Sequence, residues 1–228
     1  MSSPFPIVAI DGGAASGKSS TSRAIAQKLN FLHVDTGAHY RTLTHALLQQ
    51  GATPDDPESI LSKLDSLELS TLVEKQQARL AINGSAPEDE DLRTPQVNNV
   101  VAQFAAIPVV RQALFDYQRD QARIAGEKGF AGLVMEGRDI GSVIFPEAPF
   151  RFYFHADPET RSRRRQAQGQ QDQIQQRDAI DSGRKQAPLT CPDGAIEVDT
   201  AQYALEEVIQ IVLKHVASNV QQGAANIS

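Results

Sequence analysis

Cysteine is almost missing from this chain: Cys191 is the only one in 228 residues. Intrachain disulfides and cysteine-built zinc clusters are therefore excluded, and the lone thiol reads as a bystander. A chain so poor in cysteine fits a reducing cytoplasm. Long apolar runs are lacking too. None approaches the roughly 18 residues that a membrane span requires. Met1-Ser2-Ser3-Pro4 has no basic n-region of the kind that opens a secretory signal. The expectation is a cytoplasmic protein with no membrane partner. Positive charge is also in deficit: 22 Lys and Arg stand against 28 Asp and Glu, a formal net charge of −6. Proteins that track long polyanions carry the opposite balance, so no nucleic-acid partner is expected. A small phosphorylated substrate remains compatible with this charge where arginines gather locally.

What is present is ordinary in bulk and specific in detail. Hydrophobic residues make up 40% and charged residues 22%, as in a globular protein long enough for one α/β domain with an insertion. The organising stretch is Ile7-Val8-Ala9-Ile10-Asp11-Gly12-Gly13-Ala14-Ala15-Ser16-Gly17-Lys18-Ser19-Ser20. An apolar run ends at Asp11, and Gly12 to Ser19 then match G-x-x-x-x-G-K-[ST]. Phosphate needs backbone N–H groups that can come close, and Gly12, Gly13 and Gly17 permit that approach. The helix opening near Lys18 turns its positive end to the same point. The stretch from Gly12 through Ala14, Ala15, Ser16 and Lys18 to Ser20 thus reads as a binding loop for a nucleoside triphosphate. Lys18 would reach the β- and γ-phosphates, and the Ser19 hydroxyl would ligate Mg²⁺.

Along the chain, apolar runs alternate with helical periodicity. Lys18 to Leu29 reads as a helix, Phe31 to Val34 as a strand, and the segment bearing Tyr40, Leu43 and Leu47 as a second helix stopped by Gly51. That alternation implies a parallel sheet with right-handed crossovers. From Pro54 to about Pro108 the pattern changes. Asp56-Pro57 and Thr94-Pro95 look like capped helix starts. Leu67–Val73 and Ala78–Ile82 alternate like a small antiparallel sheet, with Asn83-Gly84 as a tight-turn signal. Phe130 to Met135 reads as a buried strand that delivers Glu136-Gly137-Arg138-Asp139 at its carboxyl end, where open α/β sheets bind ligands. Phe150–Phe154 is a further strand. Asp157-Pro158-Glu159 opens a helix, Gln166–Gln176 reads as a mobile glutamine-rich segment, Ala195–Val198 as a last strand, and Leu205 to Val216 as a closing helix.

Phosphoryl transfer asks mainly for position and positive charge, and the planar arginine fork holds two phosphate oxygens at once. Arg41, Arg111 and Arg138 follow three different elements, while Arg161, Arg165, Arg177 and Arg184 flank the glutamine-rich segment. Arg161 and Arg165 are four apart on one helix and share a face. Beside a triphosphate loop, this arrangement reads as a lid that closes on phosphates.

The motifs Gly12…Gly17-Lys18-Ser19, Asp35-Thr36-Gly37-Ala38-His39-Tyr40-Arg41, Pro108-Val109-Val110-Arg111, Glu136-Gly137-Arg138-Asp139-Ile140-Gly141 and Arg177-Asp178…Asp181…Arg184…Pro188-Leu189 resemble those of bacterial cytidylate kinases, in family order. The resemblance runs from about Ile7 to Val216. It implies an α/β P-loop kinase with a parallel five-stranded sheet and helices on both faces. The core would be residues 1–53, 109–156 and 186–228. An insertion over 54–108, with its small antiparallel sheet, would bind the monophosphate, and 157–185 would form a short lid. It also implies transfer of the ATP γ-phosphate to CMP or dCMP.

By the same resemblance, Thr36, Arg111 and Asp139 face cytosine, with Tyr40 and Arg184 close by. Arg41 and Arg138 hold the acceptor phosphate, and Arg177 and Asp181 lie near the sugar and the transferring group. Lys18, Arg138, Arg161, Arg165 and Arg177 form the catalytic set, with ATP and Mg²⁺ as the bound groups. The resemblance is silent on oligomeric state, for which a monomer is the expectation. Three positions depart from the family pattern. Ala102 replaces a serine that touches the sugar, the segment between Arg165 and Arg177 is shorter, and Ile180 stands where a charge is common. Two alternatives stay open: a small-molecule kinase for UMP, AMP or a non-nucleotide alcohol, and a nucleotide-binding regulator. A pure regulator has no need for Arg41, Arg111, Arg138, Asp139 and Asp181 together.

Overall fold

In the computed structural model, which describes residues 5–167 and 174–225, the first apolar run forms β1 (Ile7–Gly12) and leads through the glycine-rich loop into α1 (Lys18–Leu29). β2 (Phe31–Asp35) and α2 (Thr36–Gln49) repeat the unit. The insertion supplies α3 (Pro57–Leu64), β3 (Leu69–Glu74), β4 (Gln77–Ile82), a 3₁₀ turn at Asp91–Arg93 and α4 (Pro95–Phe104). The chain returns through α5 (Pro108–Glu127), β5 (Gly132–Gly137), a short π-type turn (Ile140–Ile144) and β6 (Phe150–His155). Helices α6 (Pro158–Ala167) and α7 (Ile174–Gly183), strand β7 (Ile196–Asp199) and helix α8 (Leu205–Ala225) complete it.

The strand order is β3-β4-β2-β5-β1-β6-β7. The five strands from β2 to β7 are mutually parallel, as the alternation of strand and helix requires. The antiparallel pair of the insertion is present but does not stand apart as a separate small sheet. It extends the parallel sheet to seven strands, because β4 runs parallel to β2 through His33–Gln77 and Val34–Ala78. The His33 N–H donates to the Gln76 carbonyl at 2.7 Å. An exposed strand edge is a template for pairing, and the turn after Glu74 delivers the hairpin to it.

Strand periodicity decides the two faces. In β1, Val8 and Ile10 point into a cluster with Ile25 of α1 and Val208, Val212 and Val216 of α8, while Ala9 points into the opposite cluster with Met135 and Ala125. All three β1 side chains are fully buried, as expected of a parallel sheet covered on both faces. A third cluster joins Leu43 and Leu47 of α2, Ile60, Leu80, Val101, Phe104 and Leu114, so the insertion packs on α2 and the start of α5. Its helices begin where the sequence signals: Asp56 accepts from the Ser59 N–H at 3.1 Å and Thr94 from the Val97 N–H at 3.4 Å, each followed by proline.

One expectation shifts. β5 starts at Gly132 rather than Phe130, because the Phe130 N–H is taken by the Ala125 carbonyl in the turn that ends α5. At its other end the strand runs to Gly137, so Glu136 and Gly137 belong to the strand itself. Of the glutamine-rich run read as mobile, Gln166 lies in the last turn of α6, and Gln175 and Gln176 lie in α7. Residues 168–173 lie outside the described residues.

Candidate active site

The carboxyl ends of β1, β2 and β5 meet at the glycine-rich loop. Gly12 has φ 150°, and a Cβ there would lie 2.1 Å from the Phe154 carbonyl oxygen, so the crossing of loop and β6 admits only glycine. Lys18 is buried at 7% exposure and its ammonium donates to the carbonyls of Gly12 at 2.8 Å and Gly13 at 2.7 Å. Burial, assisted by the nearby Arg138 guanidinium, pulls its pKa down to about 7. Asp11 is a tie rather than a ligand group. Its carboxylate accepts from the N–H groups of Ile140 and Gly141, both at 2.7 Å, and burial pushes its pKa up to about 6.

The Ser19 hydroxyl donates to Glu136 Oε2 at 2.8 Å, and Glu136 Oε1 meets His33 Nε2 at the same distance. The sequence sets Glu136 in a motif at a strand's carboxyl end but gives it no role of its own. Its meeting with Ser19 depends on β5 lying between β1 and β2. This donor set fits Mg²⁺: a hydroxyl and a carboxylate are hard oxygen ligands, and Mg²⁺ needs few protein ligands when phosphates supply the rest. Among the described residues no cluster of three or more His, Cys, Asp or Glu forms a cage of protein ligands alone.

One cavity opens from the loop toward the insertion. Its wall includes Lys18, Ser19, Thr36, Tyr40, Arg41, Ala102, Arg138, Asp139, Arg165, Asp181 and Arg184. Three of these are held in ways the sequence does not show. The Thr36 hydroxyl donates to the Glu136 carbonyl at 2.8 Å. Arg41 donates to the Leu92 carbonyl at 3.0 Å and to Asn98 Oδ1 at 2.6 Å, which fixes its guanidinium against α4. Arg138 donates through Nε to Asp181 at 2.9 Å and through Nη1 to the Gly12 carbonyl at 2.7 Å. Burial opposes the charge on Arg138, but Asp181 and Asp178 outweigh it and hold its pKa above the usual arginine range.

Arg111 stands off the cavity wall. It forms a buried ion pair with Asp139, donates to the Ala105 carbonyl at 3.2 Å and lies 5.7 Å over the Tyr40 ring. Burial raises the Asp139 pKa in spite of Arg111 and Arg184. Arg184 Nε donates to the Asp181 carbonyl at 3.2 Å, while its buried Nη2 meets no acceptor among the described residues.

A second cavity, of about 460 Å³, lies on the far side of the loop against Ala15 to Thr21, Arg164, Arg165, Thr200, Tyr203 and Leu205. Arg165 lines both cavities. Arg164, which the sequence does not mark as a site residue, is anchored by Thr200 Oγ1 at 2.9 Å and the Thr200 carbonyl at 2.7 Å. Arg161 is not free on a helix face. It pairs with Asp178 and approaches the Ala14 carbonyl at 3.4 Å, so it lies on the loop. The Arg177 side chain lies outside the described residues.

Comparison with known proteins matches the chain over nearly its full length. The family model for cytidylate kinase matches residues 8–218. The cytidylate kinase of Clostridium tetani is 36% identical over 227 residues, covering 94% of this chain and 95% of that protein. That of Halalkalibacterium halodurans is 35% identical over 224 residues, covering 93% and 98%. That of Geobacter sulfurreducens is 36% identical over 214 residues, covering 89% of each. With a family model matched over most of its length and relatives about 35% identical end to end, the chain belongs to the cytidylate kinase family.

Proposed function

We propose that this protein moves the γ-phosphoryl group of ATP onto CMP or dCMP, giving CDP or dCDP and ADP. The observation that carries the reading is Arg138. One guanidinium reaches both the Gly12 carbonyl of the loop and Asp181 on the wall of the adjoining cavity, so donor and acceptor sites share a cation. In this reading the N–H groups from Gly12 to Ser20 and the Lys18 ammonium cradle the donor phosphates. Arg41 and Arg138 take the acceptor phosphate. An ionised oxygen of that phosphate attacks the γ-phosphorus in line as the bond to the β-phosphate bridging oxygen breaks. The nucleophile is already an anion, so no strong general base is required. Lys18, Arg138, Arg161, Arg165 and Arg177 neutralise the charge that spreads over the moving group. Ser19, with Glu136 behind it, would hold Mg²⁺, which screens the donor phosphates when bound.

Base selection falls to Asp139, oriented by Arg111, with Thr36, Tyr40 and Arg184 around it. Cytosine presents an N4–H donor that a carboxylate accepts, whereas uracil presents a carbonyl at the same edge and repels it. Asp181 and Arg177 lie on the sugar side. We read residues 54–108 as the monophosphate-binding unit, 157–185 as the lid and the rest as the core, working as a monomer in the cytoplasm on small nucleotides rather than on nucleic acid. Among the described residues no helix is long and apolar enough to cross a membrane.

Side-by-side assays with ATP and CMP, dCMP, UMP or AMP test the assignment. CMP is expected to exceed UMP in kcat/KM by about 10²-fold, the scale of one well-made base contact. Asp139→Asn should remove most of that preference. A wide margin for UMP would overturn the base-reading role, and calorimetry showing ATP binding without CMP binding would favour a regulator.

A further inference from the structure

We infer that Asp178 is a resident anion of the donor site: its carboxylate occupies the phosphate-loop position that a donor phosphoryl oxygen takes, and keeps Arg161 and Arg138 at the loop until the nucleotide displaces it. The inference rests on the reading of Gly12–Ser20 as the donor site.

The geometry is direct. Asp178 Oδ1 accepts from the Ala14 N–H at 3.1 Å, one of the loop donors on which phosphate binding depends. Its Oδ2 pairs with Arg161, and Arg138 Nη2 lies 3.8 Å from Oδ1. The ion pair presses on the loop backbone itself. A Cβ built on Gly13 would lie 2.8 Å from Arg161 Nη1 and 3.0 Å from Asp178 Oδ2. The side chains of Asp178, Arg161 and Arg138 are only 16%, 15% and 18% exposed, so water screens the cluster weakly.

A carboxylate and a phosphate make the same demand, a charge-assisted acceptor for N–H and guanidinium donors. They cannot share the Ala14 N–H, and two anions at this spacing repel. The donor therefore enters by exchange. Asp178 leaves the loop, and Arg161 and Arg138 pass from carboxylate to phosphoryl oxygens without becoming buried, unpaired cations at any stage. Asp178 acts as a positioning residue: it sets where the cations wait, and it lowers donor affinity because it must be displaced.

A purely structural staple between α7 and the loop makes the opposite prediction on removal, so the sign of the effect is diagnostic. Titration calorimetry with the slowly hydrolysed ATP analogue AMP-PNP and Mg²⁺ would compare wild type with Asp178→Asn and Asp178→Ser, each checked for folding by circular dichroism. Both variants should bind AMP-PNP about three- to tenfold tighter, because the incoming nucleotide no longer has to break a partly buried, charge-assisted interaction of that strength. Inorganic tripolyphosphate should follow the same trend, and adenosine, which carries no phosphate, should not. Glu159→Gln removes one charge from α6 away from the loop and should shift affinity less than twofold, about the effect of a lone exposed charge. Equal or weaker binding of AMP-PNP by the Asp178 variants overturns the inference. A wild-type protein that binds no AMP-PNP overturns the donor-site reading instead.

Discussion

Lys18 is a cation held where water barely reaches it. Its pKa lies near 7 in the free protein, against 10.5 for an exposed lysine. Between those values the unfolded chain binds more protons than the folded one. The free protein should therefore gain stability as pH rises from 7 toward 10.5, and the burden of the buried ammonium is fully present below 7. Donor phosphates reverse the balance, because opposite charge favours the protonated form. Nucleotide binding should then draw protons from solution: about half a proton per AMP-PNP at pH 7 and close to one at pH 8. Calorimetry in buffers of different ionisation enthalpy reads this uptake directly. Lys18→Met should abolish the uptake and lower kcat by about 10²–10³-fold, the scale of losing one preorganised charge at a transition state. Uptake that survives in the variant would place the titrating group elsewhere.

At the scale of elements, the site depends on the end of β5 lying flush against the first turn of α2. Gly137 marks the contact: a Cβ there would fall 2.4 Å from Thr36 Oγ1 and 2.8 Å from Ile140 Cδ1. Gly137→Ala should force Thr36 off the Glu136 carbonyl and cost about 1–3 kcal/mol through overpacking. Denaturant melts measure that loss, and the KM for CMP should rise with it because Thr36 and Asp139 flank the wedge. An unchanged KM would show that Thr36 does not help to shape the acceptor site. Much at this scale is legible in the sequence, because the signals are local. The glycine motif gives the start of α1 at Lys18, and Asp56-Pro57 and Thr94-Pro95 give those of α3 and α4. What escapes is long-range. The hairpin joins the main sheet through only two residue pairs with β2. Glu136 faces Ser19 from 117 positions away, and Asp178 reaches Ala14 across 164. Arg111 is legible as a motif residue, but its place behind Asp139 depends on how α5 crosses the turn after β5.

At the scale of the molecule, an acidic chain of net charge −6 builds a cationic centre by drawing guanidinium groups from α2, the turn after β5, α6 and Arg184 just past α7. The two cavities have Ala15, Lys18, Ser19 and Arg165 in common, which predicts that they open into each other as two ends of one trough. A ligand that fills both ends at once should gain from linkage, since its second half binds at high effective concentration. Adenosine and cytidine joined 5′ to 5′ by five phosphates is such a ligand, and it should bind at least about 10²-fold tighter than AMP-PNP alone. Shortening the bridge to three phosphates, fewer than the four that ATP and CMP bring together, should remove most of the gain, because the bases can no longer reach their separate ends. Arg165→Ala should weaken the five-phosphate compound, since Arg165 lines both ends. Competition calorimetry against AMP-PNP and against CMP separates the cases: displacement of both by one equivalent is the signature of a shared trough. A compound that displaces AMP-PNP but leaves CMP bound would mean that the two cavities do not meet at the phosphates, and the in-line transfer path drawn through Arg138 would have to be abandoned.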